Sequence, residues 1–397
     1  MMRHYFIKRF IFKECRTGHM ASLLIRNGRV YDHRTNSFAV DQIFVEDGVI
    51  ASIGEYPNEA DEVVDAEDLF VTPGLIDMHC HVFTRAGQET RLPADRIGIG
   101  QGVTCVVDTG SAGGDSIDEF RKVVLETQTT SAFALCNIGS PGKPGLKGGH
   151  AASPGLVSIE KTVNAIERNR DYVLGVKVLA SSSHSGLMGI DAVKMGRKAA
   201  ELTGTPLMVH IGNAPPVIED ILALLRPGDI LTHSYHGKPG GVLGYQDRII
   251  PEFRDAVERG IVVDIAHGRA SFSFRTCEKA MEQGMPVHTI SSDLHRGNID
   301  RYVVSLARTM SKFRMLGLSM EAVVRATTVT PAEAIGLDTG GFGRIEVGQP
   351  ANISLLRETD EQRDVEDAEG EVRQTASWIE PVGSLIAGVY HACTEEI

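Results

Sequence analysis

Residues 71–81, Val-Thr-Pro-Gly-Leu-Ile-Asp-Met-His-Cys-His, decide the fold and the chemistry of this chain. An apolar segment follows a Pro-Gly pair and delivers two histidines, one residue apart, at its far end. Side chains at positions i and i+2 of a strand point to the same side, so His79 and His81 can converge on one metal ion. A His-x-His pair alone is a weak indication, because such pairs also occur on surfaces and in cores. The metal-site interpretation of this pair is strengthened by residues of other metal-ligand types at the ends of later predicted strands.

From Leu75 onward, short apolar runs alternate with stretches of helical period. The runs that we predict as strands are Leu75–Met78, Val103–Val107, Ser131–Asn137, Tyr172–Leu179, Pro206–His210, Asp229–His233, Ile261–Ile265 and Val287–Ser292. Continuous apolar runs are typical of parallel strands buried on both faces. Eight strand–helix units predict an α/β fold, a (β/α)8 TIM barrel over residues 71–339, with its chemistry at the C-terminal ends of the strands. A doubly wound open sheet is the alternative, but no Gly-x-Gly-x-x-Gly turn follows the first strand.

Short strands are predicted at both ends of the chain. Asp47-Gly48 separates two apolar runs, as in a tight hairpin. Short strands return over residues 343–356, after a helix that Thr330 is expected to cap and that has Pro331 in its first turn. We therefore expect residues 21–70 and 340–397 to form one small β-sandwich domain.

The first twenty residues differ from the rest, being basic and aromatic without a cleavage site after an apolar core. That composition does not fit a secretory signal. We expect residues 1–20 to be a disordered extension. An upstream start codon read into the frame is favoured over a targeting or membrane-surface peptide, because Met20 leads directly into strand sequence.

The overall composition excludes several classes of protein. The chain has 397 residues, of which 42% are hydrophobic and 23% charged, as in an ordinary soluble domain. A net charge of −12 argues against nucleic acid or an anionic membrane as partner. No apolar run approaches the ~20 residues of a transmembrane helix. Six cysteines without a Cys-x-x-Cys pair predict buried, reduced thiols in a cytoplasmic protein. A small-molecule substrate is expected, and a homo-oligomer is compatible with these numbers.

Further ligand types stand at later strands, namely Lys177, His210, His233 and Asp293. Lys177 lies within an apolar run, where an ammonium group is costly. It requires either a carboxylate partner or conversion of the neutral amine by carbon dioxide to a carbamate that bridges two metals. A single strand-end histidine can be an ordinary hydrogen-bonding group, and Asp293 alone could cap a helix. Six such residues on five strands predict a metal site, for which imidazole and carboxylate ligands favour Zn²⁺, with Mn²⁺ or Fe²⁺ as alternatives.

These residues resemble the amidohydrolase superfamily, in its binuclear subtype with a carboxylated lysine. The similarity runs from residue 21 to the C-terminus and is carried by residues 73–81, the four later ligands and residues 343–351. The resemblance implies two divalent ions bridged by an N6-carboxylysine. The implied ligands are His79, His81 and Asp293 for the buried ion, His210 and His233 for the second ion, and Lys177 for both. Asp293 is also the implied catalytic residue, which takes a proton from a metal-bridging hydroxide and passes it to the leaving group.

Within the superfamily, the chain is most similar to dihydroorotase-like deacetylases, which act on acetylated D-amino acids or acetylated 2-hydroxy acids. The stretches that carry this similarity are 175–178, 180–181, 232–233, 267–268, 271–274 and 289–295. Leu179 and His236 depart from it, standing where an arginine and an asparagine are common. The resemblance implies hydrolysis of the amide or ester bond of a small N-acetyl (D-)amino acid or O-acetyl hydroxy acid. The expected substrate-binding residues are His236, His267, Arg275 and Lys143, with Lys238, Arg269 and Arg296 as further cations.

Two other functions remain as alternatives. A dihydroorotase would need an arginine two residues after the His-x-His pair, but Phe83 occupies that position and Arg85 is displaced by two residues. A non-catalytic scaffold of the same fold would have lost metal ligands. This chain keeps every ligand position, which favours an enzyme.

Overall fold

The computed structural model describes residues 22–55, 59–84, 92–142 and 151–394. The predicted N-terminal extension, Arg85 and Lys143 therefore lie outside the described residues. The N-terminal strands are β1 (Leu23–Asp32), β2 (Ser37–Glu46), β3 (Val49–Ile53), β4 (Glu62–Asp65) and β5 (Phe70–Pro73). The barrel strands are β6 (Leu75–Cys80), β7 (Val103–Gly113), β8 (Ser131–Asn137), β9 (Val173–Ala180), β10 (Leu207–Ile211), β11 (Ile230–Thr232) and β12 (Val262–Asp264). The C-terminal strands are β13 (Ile353–Thr359), β14 (Arg363–Glu366), β15 (Val372–Thr375), β16 (Trp378–Ile386) and β17 (Val389–Ala392).

Helices follow most of the barrel strands. They are α1 (Ala94–Ile97), α2 (Ile117–Phe120), α3 (Ile159–Arg168), α4 (Ser182–Ser185), α5 (Ile190–Thr203), α6 (Ile218–Leu224), α7 (Pro251–Glu258), α8 (Phe274–Glu282), α9 (Leu306–Met315), α10 (Met320–Thr327) and α11 (Val329–Ile335). A π-helical turn, Arg121–Leu125, continues α2. Short 3₁₀ turns cover Ile99–Gln101, Pro154–Leu156, Gly186–Met188, Tyr245–Asp247 and Asp338–Gly340. No helix within the described part of the chain is long and apolar enough to cross a membrane.

The prediction of the Thr330 cap is wrong. Helix α11 begins at Val329, and Thr328 occupies the capping position. The Thr328 hydroxyl donates to the Val324 carbonyl oxygen at 2.6 Å and so does not cap the helix. Pro331 does lie in the first turn, where its missing N–H leaves no helical hydrogen bond unmade.

Strands β6 to β12 form one curled sheet in which every neighbouring pair is parallel. Every residue of β6, β7 and β9 is buried, as expected for strands covered on both faces. Together with the segment that closes the sheet, this arrangement confirms the predicted TIM barrel.

The eighth predicted strand, Val287–Ser292, is not a continuous strand. Its segment still closes the barrel, because Thr289 bridges Asp264 of β12 and Leu294 bridges Cys80 of β6. The Ser292 N–H and hydroxyl both donate to the carboxylate of Asp77 on β6. These side-chain bonds interrupt a regular ladder, so the prediction of a full strand is corrected. We call residues 288–294 the closing segment.

The second sheet is built from both chain ends, in the order β17-β16-β13-β5-β1-β2-β3, with β4 beside β1. The predicted hairpin is confirmed, since β2 and β3 are antiparallel and the turn residues Asp47 and Gly48 have φ angles of 50° and 78°. Ser354 of β13 joins this sheet to the barrel. Its hydroxyl oxygen accepts from the Leu75 N–H at 2.9 Å and its hydrogen is donated to the Gly102 carbonyl at 2.7 Å.

Strands β14 and β15 form a separate antiparallel pair, which we call the C-terminal hairpin (residues 363–375). Its turn packs on the barrel loops near the strand C-termini. Asp367 is buried and accepts the Phe274 N–H at 2.9 Å, while the Ala368 N–H donates to the Phe272 carbonyl at 3.0 Å. The hairpin thus extends the C-terminal part of the chain onto the catalytic face expected for a barrel.

Four of the six cysteines have the predicted buried state, while Cys393 is half-buried and Cys15 lies outside the described residues. Cys80, Cys105, Cys136 and Cys277 are buried free thiols. Burial raises the pKa of Cys136 to about 12, so this thiol stays protonated and unreactive.

Candidate metal centre

The six predicted metal ligands meet at the C-terminal ends of the barrel strands. Three ring distances define the histidine cluster: centroids lie 5.0 Å apart for His79 and His233, 4.3 Å for His210 and His233, and 6.0 Å for His79 and His81. Lys177 of β9 places its Nζ 3.3 Å from His79 Nε2. Asp293, in the closing segment, faces both histidines of the His-x-His pair.

The chain turns sharply where it leaves the strands. His233, Ala266 and Asp293 have φ angles of 64°, 42° and 52°, in the left-handed region that non-glycine residues rarely adopt. Such strained positions persist where surrounding contacts impose them. Here they turn the His233 and Asp293 side chains toward the same point.

His79, His81 and Asp293 form the tightest group of potential ligands. One ligand atom from each lies within 4.8 Å of the others. The Asp293 Oδ1 is 3.1 Å from His81 Nε2 and 3.7 Å from His79 Nε2. On the far side of each ring, His79 Nδ1 lies 2.8 Å from Thr232 Oγ1 and His81 Nδ1 lies 2.8 Å from Ser111 Oγ. The rings are therefore held so that their Nε2 atoms face the carboxylate.

Asp264, at the end of β12, fixes the protonation of His79. The Thr232 hydroxyl donates to Asp264 Oδ2 at 2.6 Å, so its oxygen accepts from the His79 Nδ1–H and leaves Nε2 with a free lone pair. Burial would raise the pKa of Asp264. The interaction with His79 and the hydrogen bonds from the Thr232 and Ser291 hydroxyls outweigh burial, so the pKa is lowered. Asp264 is thus a buried carboxylate that orients a ligand from behind.

Lys177, His210 and His233 form the second part of the cluster. His233 donates from Nδ1 to the Ala266 carbonyl at 2.7 Å, which again leaves Nε2 free. Burial lowers the pKa of His210 far below its usual value, and so does the proximity of His233, His184 and Lys177, which disfavours a charged ring. Burial also lowers the pKa of His233 strongly, against the opposing charge of Asp293. Both rings are therefore neutral imidazoles, the form that binds metal ions.

Lys177 is almost completely buried, with its Nζ also 3.2 Å from the sulfur of Met208. Gly110 of β7 makes room for the lysine, because a Cβ at that glycine would lie 2.8 Å from Lys177 Cγ. Gly110 also has a φ of 89°, which a larger residue would adopt only with strain. The chain thus directs this amine into the histidine cluster.

The pKa of Asp293 is lowered because its neighbours outweigh the effect of burial. Burial would raise the pKa, whereas the hydrogen bond from His81 and the electrostatic interaction with the His79, His81 and His233 rings take it far below its usual range. Asp293 is therefore ionised at neutral pH. A Cβ at residue 268 would lie 2.6 Å from Asp293 Oδ2, so Gly268 leaves space at the second carboxylate oxygen.

The four predicted substrate-binding residues have different surroundings. His236 is buried, and its Nδ1 accepts the Lys238 N–H at 3.1 Å. His267 is also buried, but both ring nitrogens have partners, Lys312 Nζ at 2.8 Å and the Gly268 carbonyl at 2.9 Å, which leaves no free ring donor for a substrate. Arg275 is exposed and donates to both Asp247 carboxylate oxygens at 2.6 Å. Lys143 is the one that lies outside the described residues.

Comparison with known proteins assigns the family. The model of the amidohydrolase family matches residues 70–374. The chain belongs to the amidohydrolase family. A deacetylase of Agrobacterium fabrum is 31% identical to it over 384 residues, which is 94% of this chain and 92% of the relative. Among solved structures, an adenine deaminase has a TM-score of 0.88 at 31% identity and covers 94% of this chain and 100% of its own. A dihydroorotase has a TM-score of 0.87 at 30% identity, covering 95% and 99%.

These relatives confirm the predicted superfamily and show that this amidohydrolase is a hydrolase. The donor set fits a divalent metal on chemical grounds. The neutral imidazoles of His210 and His233 and the ionised carboxylate of Asp293 are ligands that Zn²⁺ and similar ions prefer. The His79, His81 and Asp293 group provides three such ligands within one small volume.

Sequence reasoning missed three residues of the amidohydrolase site. Asp264 interrupts an apolar strand run, a signal that could have been noticed. Lys312 on α9 meets His267 from a distant helix and had no local signal. His184 on α4 lies with its ring centroid 5.3 Å from that of His210, and its Nδ1 is 2.8 Å from Ser181 Oγ.

Proposed function

We propose that this amidohydrolase is a binuclear metal-dependent deacetylase of small N-acetyl (D-)amino acids or O-acetyl 2-hydroxy acids. The observation that carries the proposal is the meeting of four histidines, a buried lysine amine and an ionised carboxylate at the strand ends. His79, His81 and Asp293 would hold one divalent ion, with His210 and His233 holding a second. Zinc is the expected metal.

When bound, the two ions would supply Lewis acidity and a water molecule acidic enough to lose a proton at neutral pH. The chain's own residues move the protons. Asp293 is ionised in the resting site, so it accepts a proton from the attacking water at one carboxylate oxygen. The same oxygen then donates that proton to the leaving nitrogen or oxygen of the substrate. Gly268 keeps the Oδ2 side of Asp293 open for this exchange.

Lys177 is proposed to carry a carboxylate group on its Nζ. A neutral amine adds carbon dioxide with loss of one proton, which forms a carbamate anion. The resulting negative charge would stand beside His79 Nε2, which is 3.3 Å from Nζ in the unmodified side chain. It would join the charge of Asp293 in balancing two divalent ions. This supports Lys177 as the bridging ligand.

The acetyl specificity is supported by the deacetylase of Agrobacterium fabrum and by the residue at position 83. Phe83 is buried where a dihydroorotase would use an arginine to hold the substrate carboxylate. We therefore expect acyclic acetyl compounds to be preferred over the cyclic amide.

The test is a substrate screen with zinc-loaded enzyme against N-acetyl-D-amino acids, N-acetyl-L-amino acids, O-acetyl 2-hydroxy acids and dihydroorotate. We expect dihydroorotate to have a kcat/KM at least ~100-fold below that of the best acetyl compound, roughly 2.7 kcal/mol of transition-state binding. Comparable values would replace the deacetylase proposal with a cyclic amidohydrolase. Chelator-treated enzyme is the control for metal dependence.

A further inference from the structure

The loop after β11, residues 236–241, carries a ring nitrogen that nothing in the described structure satisfies. His236 Nδ1 accepts the Lys238 N–H at 3.1 Å, so the ring proton is on Nε2. That Nε2–H is buried and has no hydrogen-bond partner among the described residues. Buried donors are normally paired, and an unpaired one in a native protein requires an explanation. A bound ligand with an acceptor oxygen would provide it.

Lys238 brings a second donor to the same place. Its side chain is half-buried, and its Nζ makes no hydrogen bond or ion pair with any residue that the structure describes. The amine lies beside Gly212, after β10. Lys238 Nζ and His210 Nε2 each lie 3.7 Å from the place that a Cβ on Gly212 would occupy. Lys238 Nζ is therefore no more than twice 3.7 Å from Nε2 of His210, a proposed metal ligand.

The electrostatic environment agrees with this placement. Burial lowers the pKa of Lys238, and the charge of Asp293 opposes that effect, so the amine is close enough to interact with the catalytic carboxylate. Burial and then the charge of Lys238 lower the pKa of His236 to about 4. The charges of Lys238 and Asp293 therefore act on this loop together.

The other candidate cations are less suited to a substrate. Arg275 is paired with Asp247, while Arg269 and Arg296 are exposed on the surface. Lys238 alone among the described candidates combines partial burial, a free ammonium and proximity to the histidine cluster.

We propose that His236 Nε2–H and Lys238 Nζ bind the α-carboxylate of the substrate, one donor from each side chain, and so select acetylated α-acids over neutral acetyl compounds. This inference rests on the proposed function. In both proposed substrate types, two atoms separate the acyl carbon from the carboxylate carbon. A carboxylate site must therefore lie close to the metal centre, as Lys238 Nζ does across Gly212 from His210 Nε2.

The experiment compares Lys238→Met with wild type on N-acetyl-D-alanine and N-acetyl-D-alaninamide, two substrates that differ in the charge of one group. We expect KM for the acid to rise roughly 10- to 100-fold, the loss expected for one hydrogen bond to a charged group. For the amide, kcat/KM should change by less than about threefold, as for a substitution without a lost contact. Arg248→Met, which removes an exposed cation further along the same loop, is the matched control and should leave both substrates unchanged.

Binding without turnover separates this proposal from the proposed function. D-lactate and D-lactamide are titrated into zinc-loaded wild type, Lys238→Met and His236→Phe. Weaker binding of the acid alone in both variants supports the carboxylate site even if no acetyl compound is hydrolysed. Equal losses for acid and amide, an unchanged affinity for the acid, or an equal effect of Arg248→Met would overturn it, even if the enzyme proves to be a deacetylase. If His236→Phe does not fold, Lys238→Met decides the outcome.

Discussion

At the scale of single residues, Asp264 shows how one buried carboxylate organises the centre. Besides the Thr232 hydroxyl, it accepts the hydroxyls of Thr289 and Ser291, each at 2.7 Å. Ser291 in turn accepts the Ala266 N–H at 3.1 Å. One side chain thus links His79, the closing segment and the strained turn after β12. Asp264 is fully buried, so we expect it to position the proposed metal ligands from behind.

Asp264→Asn should therefore weaken metal binding without removing a ligand. An asparagine retains one acceptor oxygen but presents an NH₂ group to one set of hydroxyl donors. We expect roughly 10- to 100-fold weaker metal affinity, the usual effect of losing a partner behind a metal ligand. Zinc competition with a chelator dye measures it. Asp118→Asn, which changes an exposed carboxylate paired with Arg168, is the control, and equal affinities for both variants would contradict this role.

Lys177→Ala should lose the metal pair and with it the activity. Short-chain carboxylic acids should restore part of both, because they can supply the missing bridging oxygens. Lys177→Arg should not, since a guanidinium group stays protonated and cannot form the carbamate. Metal content by elemental analysis, measured beside activity, tests this. A fully active Lys177→Ala variant would leave the lysine as an ordinary buried cation.

His236 makes folding stability depend on pH. Its pKa is lowered to about 4 in the folded chain, against about 6.5 when unfolded. The stabilisation is therefore complete above about pH 6.5 and is lost as pH falls toward 4, by at most about 3 kcal/mol. Denaturant unfolding of wild type and His236→Gln between pH 7 and 4 gives the measurement. The variant should show a shallower fall in unfolding free energy, and parallel curves would refute the assignment.

At the scale of elements, the sequence predicted the barrel strands because their apolar runs are buried on both faces and need no long-range information. Seven of the eight became strands, with ends shifted by a few residues, as for Val103–Gly113. The prediction of a strand was wrong for the closing segment, because its conformation depends on the side chains of Asp77 and Asp264 from other strands. The positions of the proposed metal ligands could be predicted from the sequence because they follow the ends of predicted strands. Their orienting partners could not, since Thr232 and Ser111 are matched to histidines only by the register of separate strands.

Asp367 holds the C-terminal hairpin to the barrel together with the Arg373–Glu278 and Arg301–Glu366 ion pairs. Besides the Phe274 N–H, the Asp367 carboxylate accepts the N–H groups of Glu369 and Glu371 at 2.8 and 2.9 Å. Asp367→Ala should release the hairpin turn, with a loss of roughly 1.5–3 kcal/mol in local stability. Hydrogen exchange of residues 272–274 and 363–375 measures it, with Asp364→Ala on the same hairpin as the control. Unchanged exchange would mean that the ion pairs and the packing of Ala368 suffice.

At the scale of the whole molecule, the end sheet has a core of its own, and part of it also packs into the barrel core. Trp378 of β16 is buried in the same cluster as the barrel residues, with the guanidinium groups of Arg308 and Arg363 at 5.2 and 4.7 Å from its ring. Trp378 is the only tryptophan, so tryptophan fluorescence monitors unfolding of the end sheet, whereas the proposed metal centre lies in the barrel.

Metal removal should therefore shift the unfolding of the whole chain. We expect two ions per chain by elemental analysis. At a free metal concentration 100 times Kd, binding at one site stabilises the folded state by about 2.7 kcal/mol. Tryptophan fluorescence during thermal unfolding should show a lower Tm after chelation and recovery on zinc addition. A fluorescence Tm that does not change on metal removal would show that the end sheet unfolds separately from the barrel. Full activity with at most one ion per chain would rule out the binuclear centre.

The sheet shared by the two chain ends has a consequence for synthesis on the ribosome. Thr72 of β5 and its partner Ser354 of β13 are 282 residues apart. At ~5–20 residues per second, translation needs roughly 15–60 s to deliver the second strand after the first. During that time β1 can pair with β2, β4 and β5, but the other edge of β5 has no neighbour. An open strand edge is a site for unwanted pairing, so the nascent chain should require protection by a chaperone until its last strands emerge.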